Sequence, residues 1–444
     1  MPPPEMRLGS FVSDLCDDDI PTDVVETVRR AFADTVGVTL AGSVEGAGAV
    51  AFENAGMDPD SASLAQRLGV TGTGAATETA LRVGAASHTL DYDDLSWGMD
   101  GHPSVVLVSP LLAMAPDVRP TGRELVTAYV AGFEAACAVA APVSPDHYEA
   151  GWHATATFGA VGATAAVAHL CDLDVESTAA ALNAAASTPS GLKRNFGSMT
   201  KPLHAGLAAR SGVTAATLAR DGLTADATAI SGDGGFWDLY GPAEREPFAM
   251  PEEWAVREHG IHVKAYPCCY FTHTSIAAAQ ALAAEHDVEP AAVERVGVRA
   301  SQGAADALHH ADPETGLQAK FSMEYAVASG IARDRVGLAA FEADALDHPE
   351  VQRVRERVDF AVDDDFHYDS HEAVVRIETP DGTVERRQEN PPGTHDNPLD
   401  DETFSAKFDD CSRRVLDADR VDSLYDLLMS LDEAVDPVDR LRSI

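Results

Sequence analysis

Lysine is scarce in this sequence. Of 32 basic residues only Lys193, Lys201, Lys264, Lys320 and Lys407 are lysines, against 72 acids, which leaves a formal charge of −40 over 444 residues. A field of that sign repels phosphate backbones and anionic lipid surfaces, so nucleic acid and membrane are excluded as expected partners. The acids are scattered and 45% of the residues are hydrophobic, a composition that buries a core and does not describe a disordered chain. A dispersed acidic surface almost free of lysine suits a salt-rich cytosol, where screening offsets self-repulsion, and the sequence reads as that of a halophile. The six cysteines show no CxxC pair and no disulfide-framework spacing, which predicts reduced thiols. The start MPPPEMRLGS lacks a basic, then apolar, signal pattern, and no apolar run is long enough to span a bilayer. The expected location is cytoplasmic. Also missing are a GxGxxG after a strand, a P-loop and a GxSxG, so no nucleotide fingerprint or hydrolase elbow is present.

What is there begins with helices. From Pro21 to about Ala225, apolar positions recur at three and four residues in one alanine-rich segment after another, as in VVETVRRAFADTVGVTL. The many small residues predict close helix-on-helix packing in a large bundle. Ile230 to Trp254 reads as loop. After Gly260 the pattern changes: VERVGVRAS reads as a strand, and EAVVRIETPDGTVERRQ as two strands turning at Asp381–Gly382. A charged helix is expected near HPEVQRVRERV, and helix returns after Pro391. The predicted class is mostly α, with a helical domain over 1–262, a smaller α+β domain over 263–390, and a helical C-terminal part over 391–444.

Several stretches carry candidate chemistry. SHTLDYDDLSWGMDGHPS (Ser87–Ser104) sets Asp91, Asp93, Asp94 and Asp100 between His88 and His102. On a helix running to about Asp91, His88 and Asp91 share a face. DYDD lacks the one-turn spacing of aspartates that hold magnesium on helices, so no metal is expected. Asp93, Asp94 and Asp100 are read as capping or solvated acids; taken alone, the stretch leaves Asp91 and His102 between function and structure. His153, in GWHATATFGA, starts a helix and gains meaning only if it faces His102. The strongest signal is KRNFGSMTKPLHAG, which gathers Lys193, Asn195, Thr200, Lys201 and His204 at a helix start, a carboxylate or phosphate receptor. Lys264 and His273 follow in VKAYPCCYFTHTS, and Tyr325 in AKFSMEYAVAS, where by itself it reads as core. Lys407 is read as a tolerated surface lysine. Such a set suits cofactor-free acid–base work on a multiply charged anion. Lysine and histidine stabilise the carbanion left when a proton alpha to a carboxylate is removed.

HTLDYDD…GHPS, GWH, NFGSMTKPLHAG, KAYPCC…H, SMEYAVA and NPLDDETFSAKF, in this order, resemble the MmgE/PrpD family, which includes 2-methylcitrate dehydratase, cis-aconitate decarboxylase and an iminodisuccinate epimerase. The resemblance implies a large all-helical domain built from both chain ends, with a smaller α+β lid inserted between them. It further implies a homodimer without metal or organic cofactor, and a di- or tricarboxylate substrate bound between bundle and lid. The implied catalytic residues are Asp91, His102, His153, Lys201 and Tyr325, with Asp91 orienting the histidine and His273 and Lys264 binding substrate; the anion-receptor reading of KRNFGSMTKPLHAG adds Asn195 and Thr200 as substrate-binding residues. The expected activity is a 2-methylcitrate dehydratase-like lyase. Decarboxylase and epimerase activities are its alternatives, and a catalytically silent carboxylate-binding protein is the alternative from another class. Decarboxylase-like relatives carry a threonine where this sequence has Leu95.

Overall fold

The computed structural model describes residues 2–250 and 253–444. The chain divides into two compact units, Met1–His262 with Ser405–Ile444, and Val263–Phe404. The first is helical throughout, as its three-and-four apolar spacing predicts. Its main helices are α1 (Thr22–Gly42), α2 (Ala76–His88), α3 (Pro103–Val118), α4 (Gly122–Ala140), α5 (Ala154–Leu170) and α6 (Thr200–Arg220). α5 is apolar on all sides and almost wholly buried, and α4, α3 and α6 pack around it; a helix without a polar face belongs at the centre of a core. Among the described residues no single helix is long and apolar enough to cross a membrane. The bent pair Thr22–Gly42 and Gly46–Asn54 meets that test only when its two helices are taken together.

Small residues bring α2 and α6 into near contact. A Cβ on Gly84 would lie 2.8 Å from the Gly206 Cα, and one on Gly206 would lie 2.2 Å from the Leu81 carbonyl oxygen. Nothing larger than glycine fits this crossing, and it fixes the start of α6 beside the end of α2. Both ends carry candidate site residues.

The second unit contains α7 (His273–Glu285), α8 (Met323–Ala332) and one four-stranded sheet, β1 (Arg295–Ala300), β2 (Val358–Val362), β3 (Ala373–Thr379) and β4 (Gly382–Gln388), in the order β2-β1-β3-β4. β1 runs parallel to β2 and antiparallel to β3, and β3–β4 is a hairpin. Its register pairs Thr379 with Gly382, so the two turn residues are Pro380 and Asp381. Gly382 opens β4 at φ +141°, which glycine alone adopts without strain. The expected turn is thus one residue late. β2 is absent from the sequence expectations: the charged helix stops at Arg355, and five residues of alternating burial form the edge strand. The second unit also runs beyond the expected 390, to Phe404, inside helix α9 (Asp401–Ser412). From Ser405 onward α9 belongs to the first unit.

Candidate active site

α2 ends at His88, three residues before the sequence suggests. Asp91 then sits at φ +53°, a left-handed conformation that aspartate tolerates better than most side chains. The reversal turns the rest of DYDD into the core. Two isolated bridges, Leu95 with His262 and Ser96 with Gly101, hold the following segment. His102 is the N-cap residue of α3, with Pro103 at the first helical position. Its amide donates to Thr155 Oγ1 at 3.0 Å, which ties it to the first turn of α5.

Asp93 lies between two histidines. Its carboxylate accepts from His88 Nδ1 at 2.9 Å and from His102 Nδ1 at 2.9 Å. His102 Nδ1 also lies 2.8 Å from the Asp94 carbonyl oxygen. Both neighbours of His102 Nδ1 are acceptors, so that nitrogen carries the proton and Nε2 carries the lone pair in the neutral ring. Burial works against an ionised Asp93, yet the two facing imidazoles outweigh it and hold the carboxyl well below its ordinary value. His88 is wholly buried, which drives its pKa down to about 4 despite Asp93. The His88 and His102 rings lie 4.4 Å apart, and the His153 ring is 5.8 Å from His88 and 6.4 Å from His102.

His153 caps α5, and its Nδ1 meets His204 Nδ1 at 3.0 Å. Burial holds His153 well below the ordinary histidine value and lowers His204 to about 4. Gly191, at φ +116°, makes room for the pair: a Cβ there would lie 2.7 Å from Ala156 Cβ and 3.3 Å from His204 Nδ1. From the first turn of α6, Lys201 Nζ donates to Asp91 Oδ1 at 2.6 Å, with both side chains buried. A second polar layer supports the loop. Asp94 accepts from the Ser104 amide at 3.2 Å and from its hydroxyl, which also meets Tyr129 OH at 2.6 Å. Burial, then the neighbouring Asp34, raise Asp94 well above the carboxylate range. Lys407 of α9 pairs with Asp34 at 2.6 Å and donates to the Tyr92 carbonyl at 2.7 Å.

Chemically, this is an oriented imidazole with an ionised partner, a buried ammonium, and further neutral imidazoles around them. One ring nitrogen each from His88, His102 and His153 lie within 4.8 Å of one another, as do ligand atoms of His88, Asp91, Asp93 and His102. Residues 6–248 match the MmgE/PrpD N-terminal domain and residues 266–432 the MmgE/PrpD C-terminal domain. The chain belongs to the MmgE/PrpD family. It is similar to the cis-aconitate decarboxylase of Aspergillus terreus (strain NIH 2624 / FGSC A1156), at 25% identity over 464 residues, covering 96% of this chain and 92% of that protein. The cis-aconitate decarboxylases of Mus musculus and Homo sapiens are each 25% identical, and each match covers 80% of this chain, with 75% and 76% of the respective relatives.

Of the residues expected from the MmgE/PrpD resemblance, the fold gathers Asp91, His102, His153 and Lys201 in the first unit. The orienting carboxylate on His102 is Asp93; Asp91 instead holds Lys201. Asp93 and Asp94 are fully buried rather than solvated, although Asp94 does cap the start of α3 through the Ser104 amide, and Asp100 alone of the three is partly exposed. Lys407 is buried as well, contrary to its reading as surface. Asn195 is half-buried and Thr200 exposed, and among the described residues no hydrogen bond joins either side chain to the imidazoles. Lys193 caps the Tyr148 ring at 3.7 Å and donates to its carbonyl at 3.1 Å. In the second unit Lys264, His273 and Tyr325 are all buried. His273 Nε2 lies 3.2 Å from the Cys268 carbonyl, and the Tyr325 hydroxyl donates to the Ala340 carbonyl at 2.5 Å. Leu95 is buried, with its backbone paired to His262. His88, Asp93, Asp94 and His204 complete the polar cluster; HTLDYDD and KPLHAG display all four, but spacing alone does not say which side chains turn inward.

Proposed function

We propose that this chain is a lyase acting on a hydroxy di- or tricarboxylate through proton transfer at His102. The observation that carries the proposal is the Asp93 carboxylate on His102 Nδ1, which leaves Nε2 as the acceptor in the neutral ring. His102 is also the solvent-reachable histidine among the three clustered rings, its side chain being 13% exposed. In a dehydration, Nε2 takes the proton alpha to a carboxylate. The C–H pair becomes the new double bond, the carbon–oxygen bond breaks, and the leaving hydroxide takes up the proton that His102 has accepted, so that water departs and the imidazole is neutral again. Asp93 stabilises the imidazolium that forms. The Lys201 ammonium faces the charge that develops on the substrate carboxylate, and Asp91 holds it in place. A 2-methylcitrate-like substrate is the first reading.

The second reading is decarboxylation of a cis-aconitate-like acid, favoured by the names of the relatives. There the C–C bond to the departing CO2 breaks, the pair stays on carbon, and His102, entering this reaction as the imidazolium, gives its proton to that carbon and is reprotonated from solvent. Leu95 in place of a threonine weighs against that transfer. Proton NMR in D2O at high KCl with EDTA, on 2-methylcitrate, citrate, cis-aconitate, tartrate and iminodisuccinate, separates the readings. A new vinyl signal from 2-methylcitrate supports dehydration. Loss of a carboxyl from cis-aconitate supports decarboxylation, and bare deuterium exchange points to epimerisation. No change across the panel counts against the enzyme reading and for a carboxylate-binding protein.

A further inference from the structure

Three of the four buried cations described in the first unit are matched. Lys201 pairs with Asp91 and Lys407 with Asp34. Arg67 donates to Ser43 Oγ at 2.6 Å and to the Pro59 carbonyl at 2.7 Å. The fourth is Arg82, on α2. It is only 5% exposed, and among the described residues its guanidinium has no hydrogen bond and no ion pair; Nε is sealed from solvent without a partner. What the guanidinium meets is the Phe52 ring of the helix Gly46–Asn54, whose centroid lies 5.2 Å from Cζ. A ring face attracts the charge but leaves the five N–H donors without an acceptor. Glu78, four residues earlier, has the spacing that favours an ion pair on a helix, yet it is exposed and forms none with Arg82. Burial lowers the Arg82 pKa, with no carboxylate close enough to raise it. In a chain with 72 acids and 32 bases, that is no shortage of acids. A buried guanidinium without an acceptor costs stability until something pairs with it.

We propose that Arg82 anchors a binding site for a small oxyanion, a phosphate or a carboxylate. The planar fork of a guanidinium meets two oxygens of either group at once, in charge-assisted hydrogen bonds. Of its three nitrogens only Nε is sealed, so the terminal pair, equally without partners, keeps a narrow opening to solvent. The side chain is already held by burial against Phe52, and the crossing at Gly84 and Gly206 fixes this part of α2. Binding therefore loses little further side-chain freedom. Arg82 lies six residues before His88, ~9 Å along the helix axis, which separates this site from the imidazole cluster. The proposal does not rest on the lyase reading.

The test is equilibrium dialysis of the full chain against labelled inorganic phosphate and, separately, labelled acetate, at constant ionic strength in KCl. One Arg82-dependent anion per chain is expected, and the anion held more tightly names the source, a phosphate compound or a carboxylic acid. Arg82→Met should weaken that binding at least ~30-fold. Arg82→Lys, which keeps the charge without the fork, should weaken it by ~5- to 10-fold. Arg119→Gln, at an exposed arginine, should leave it unchanged. Lys201→Ala should leave it unchanged too, which separates Arg82 from any anion held at the imidazole cluster. If Arg82→Met does not fold, melting temperatures decide: phosphate must raise that of wild type more than that of Arg82→Lys, since its general stabilising effect by exclusion is common to both. Binding of neither anion, equal binding by wild type and Arg82→Met, equal melting shifts in wild type and Arg82→Lys, or binding lost with Lys201→Ala overturns the site.

Discussion

Two sets of buried side chains, one in each unit, end differently. Around the candidate site of the first, ionisable groups end on one another: Asp93 on His88 and His102, Lys201 on Asp91, His153 on His204, Lys407 on Asp34. In the second, His273, Tyr325 and Ser301 reach backbone carbonyls of Cys268, Ala340 and Ser370. A side chain that satisfies a carbonyl holds a loop in place and gains about 1 kcal/mol. Charged and imidazole groups buried against each other carry heavy desolvation penalties, and such clusters mark sites where perturbed proton affinities are used. Burial alone therefore does not distinguish Tyr325 from His102; what each hydrogen-bonds to does.

The sharpest way to break the comparison is at Lys201. Lys201→Ala strands Asp91 and removes the ammonium, and turnover should fall by ~10³-fold, beyond any loss of affinity. A change in substrate affinity alone would make the cluster a binding site without chemistry. Lys407→Met is expected to lower kcat by ~10-fold through the Tyr92 carbonyl. It should also lower stability by about 3 kcal/mol, because Asp34 is left buried and unpaired. Equilibrium denaturation and steady-state kinetics on one preparation read both effects.

That second variant also shows where the sequence stops being legible. The helices follow from their spacing, and the β3–β4 hairpin from its alternation and glycine. The candidate stretches were visible because HTLDYDD and NFGSMTKPLHAG concentrate titratable groups in an alanine-rich chain. Which aspartate serves His102 was not visible. It depends on the left-handed turn at Asp91, and three aspartates within four positions look alike until that turn is known. Lys407 meets Tyr92 across 315 residues, and although Phe404, Phe408 and Cys411 mark one face of its helix as buried, that spacing names no partner for a lysine beside them. β2 escaped because a five-residue edge strand has too few alternations to stand out from the helix before it.

Smaller effects sharpen the same contrast. Between pH 6.5 and about 4, an unfolded chain protonates His88 and His204 while the native state, with both near 4, does not. Their contribution is complete above pH 6.5 and is lost as pH falls through 4. Glu134, raised by burial to about 7, has the opposite sign: its contribution is present below about 4.5 and lost as pH rises through 7. Melting temperatures at constant ionic strength should therefore fall less between pH 7 and 4.5 in His204→Gln than in wild type. Identical slopes would contradict the assignment. Smallest of all, Tyr325→Phe should cost about 1 kcal/mol of stability and change kcat less than ~3-fold, since its hydroxyl serves a carbonyl. A hundredfold loss of kcat would return Tyr325 to the chemistry and dissolve the contrast between the units.

The central claim is that Asp93 sets the proton-accepting face of His102, and Asp93→Asn tests it most directly. The asparagine keeps the shape and removes the charge. With whichever acid the NMR panel shows to be turned over, kcat should drop by ~10²- to 10⁴-fold, by analogy with the loss of an orienting aspartate in a histidine triad, while KM moves little. An Asp93→Asn protein that turns over at the wild-type rate would contradict the account.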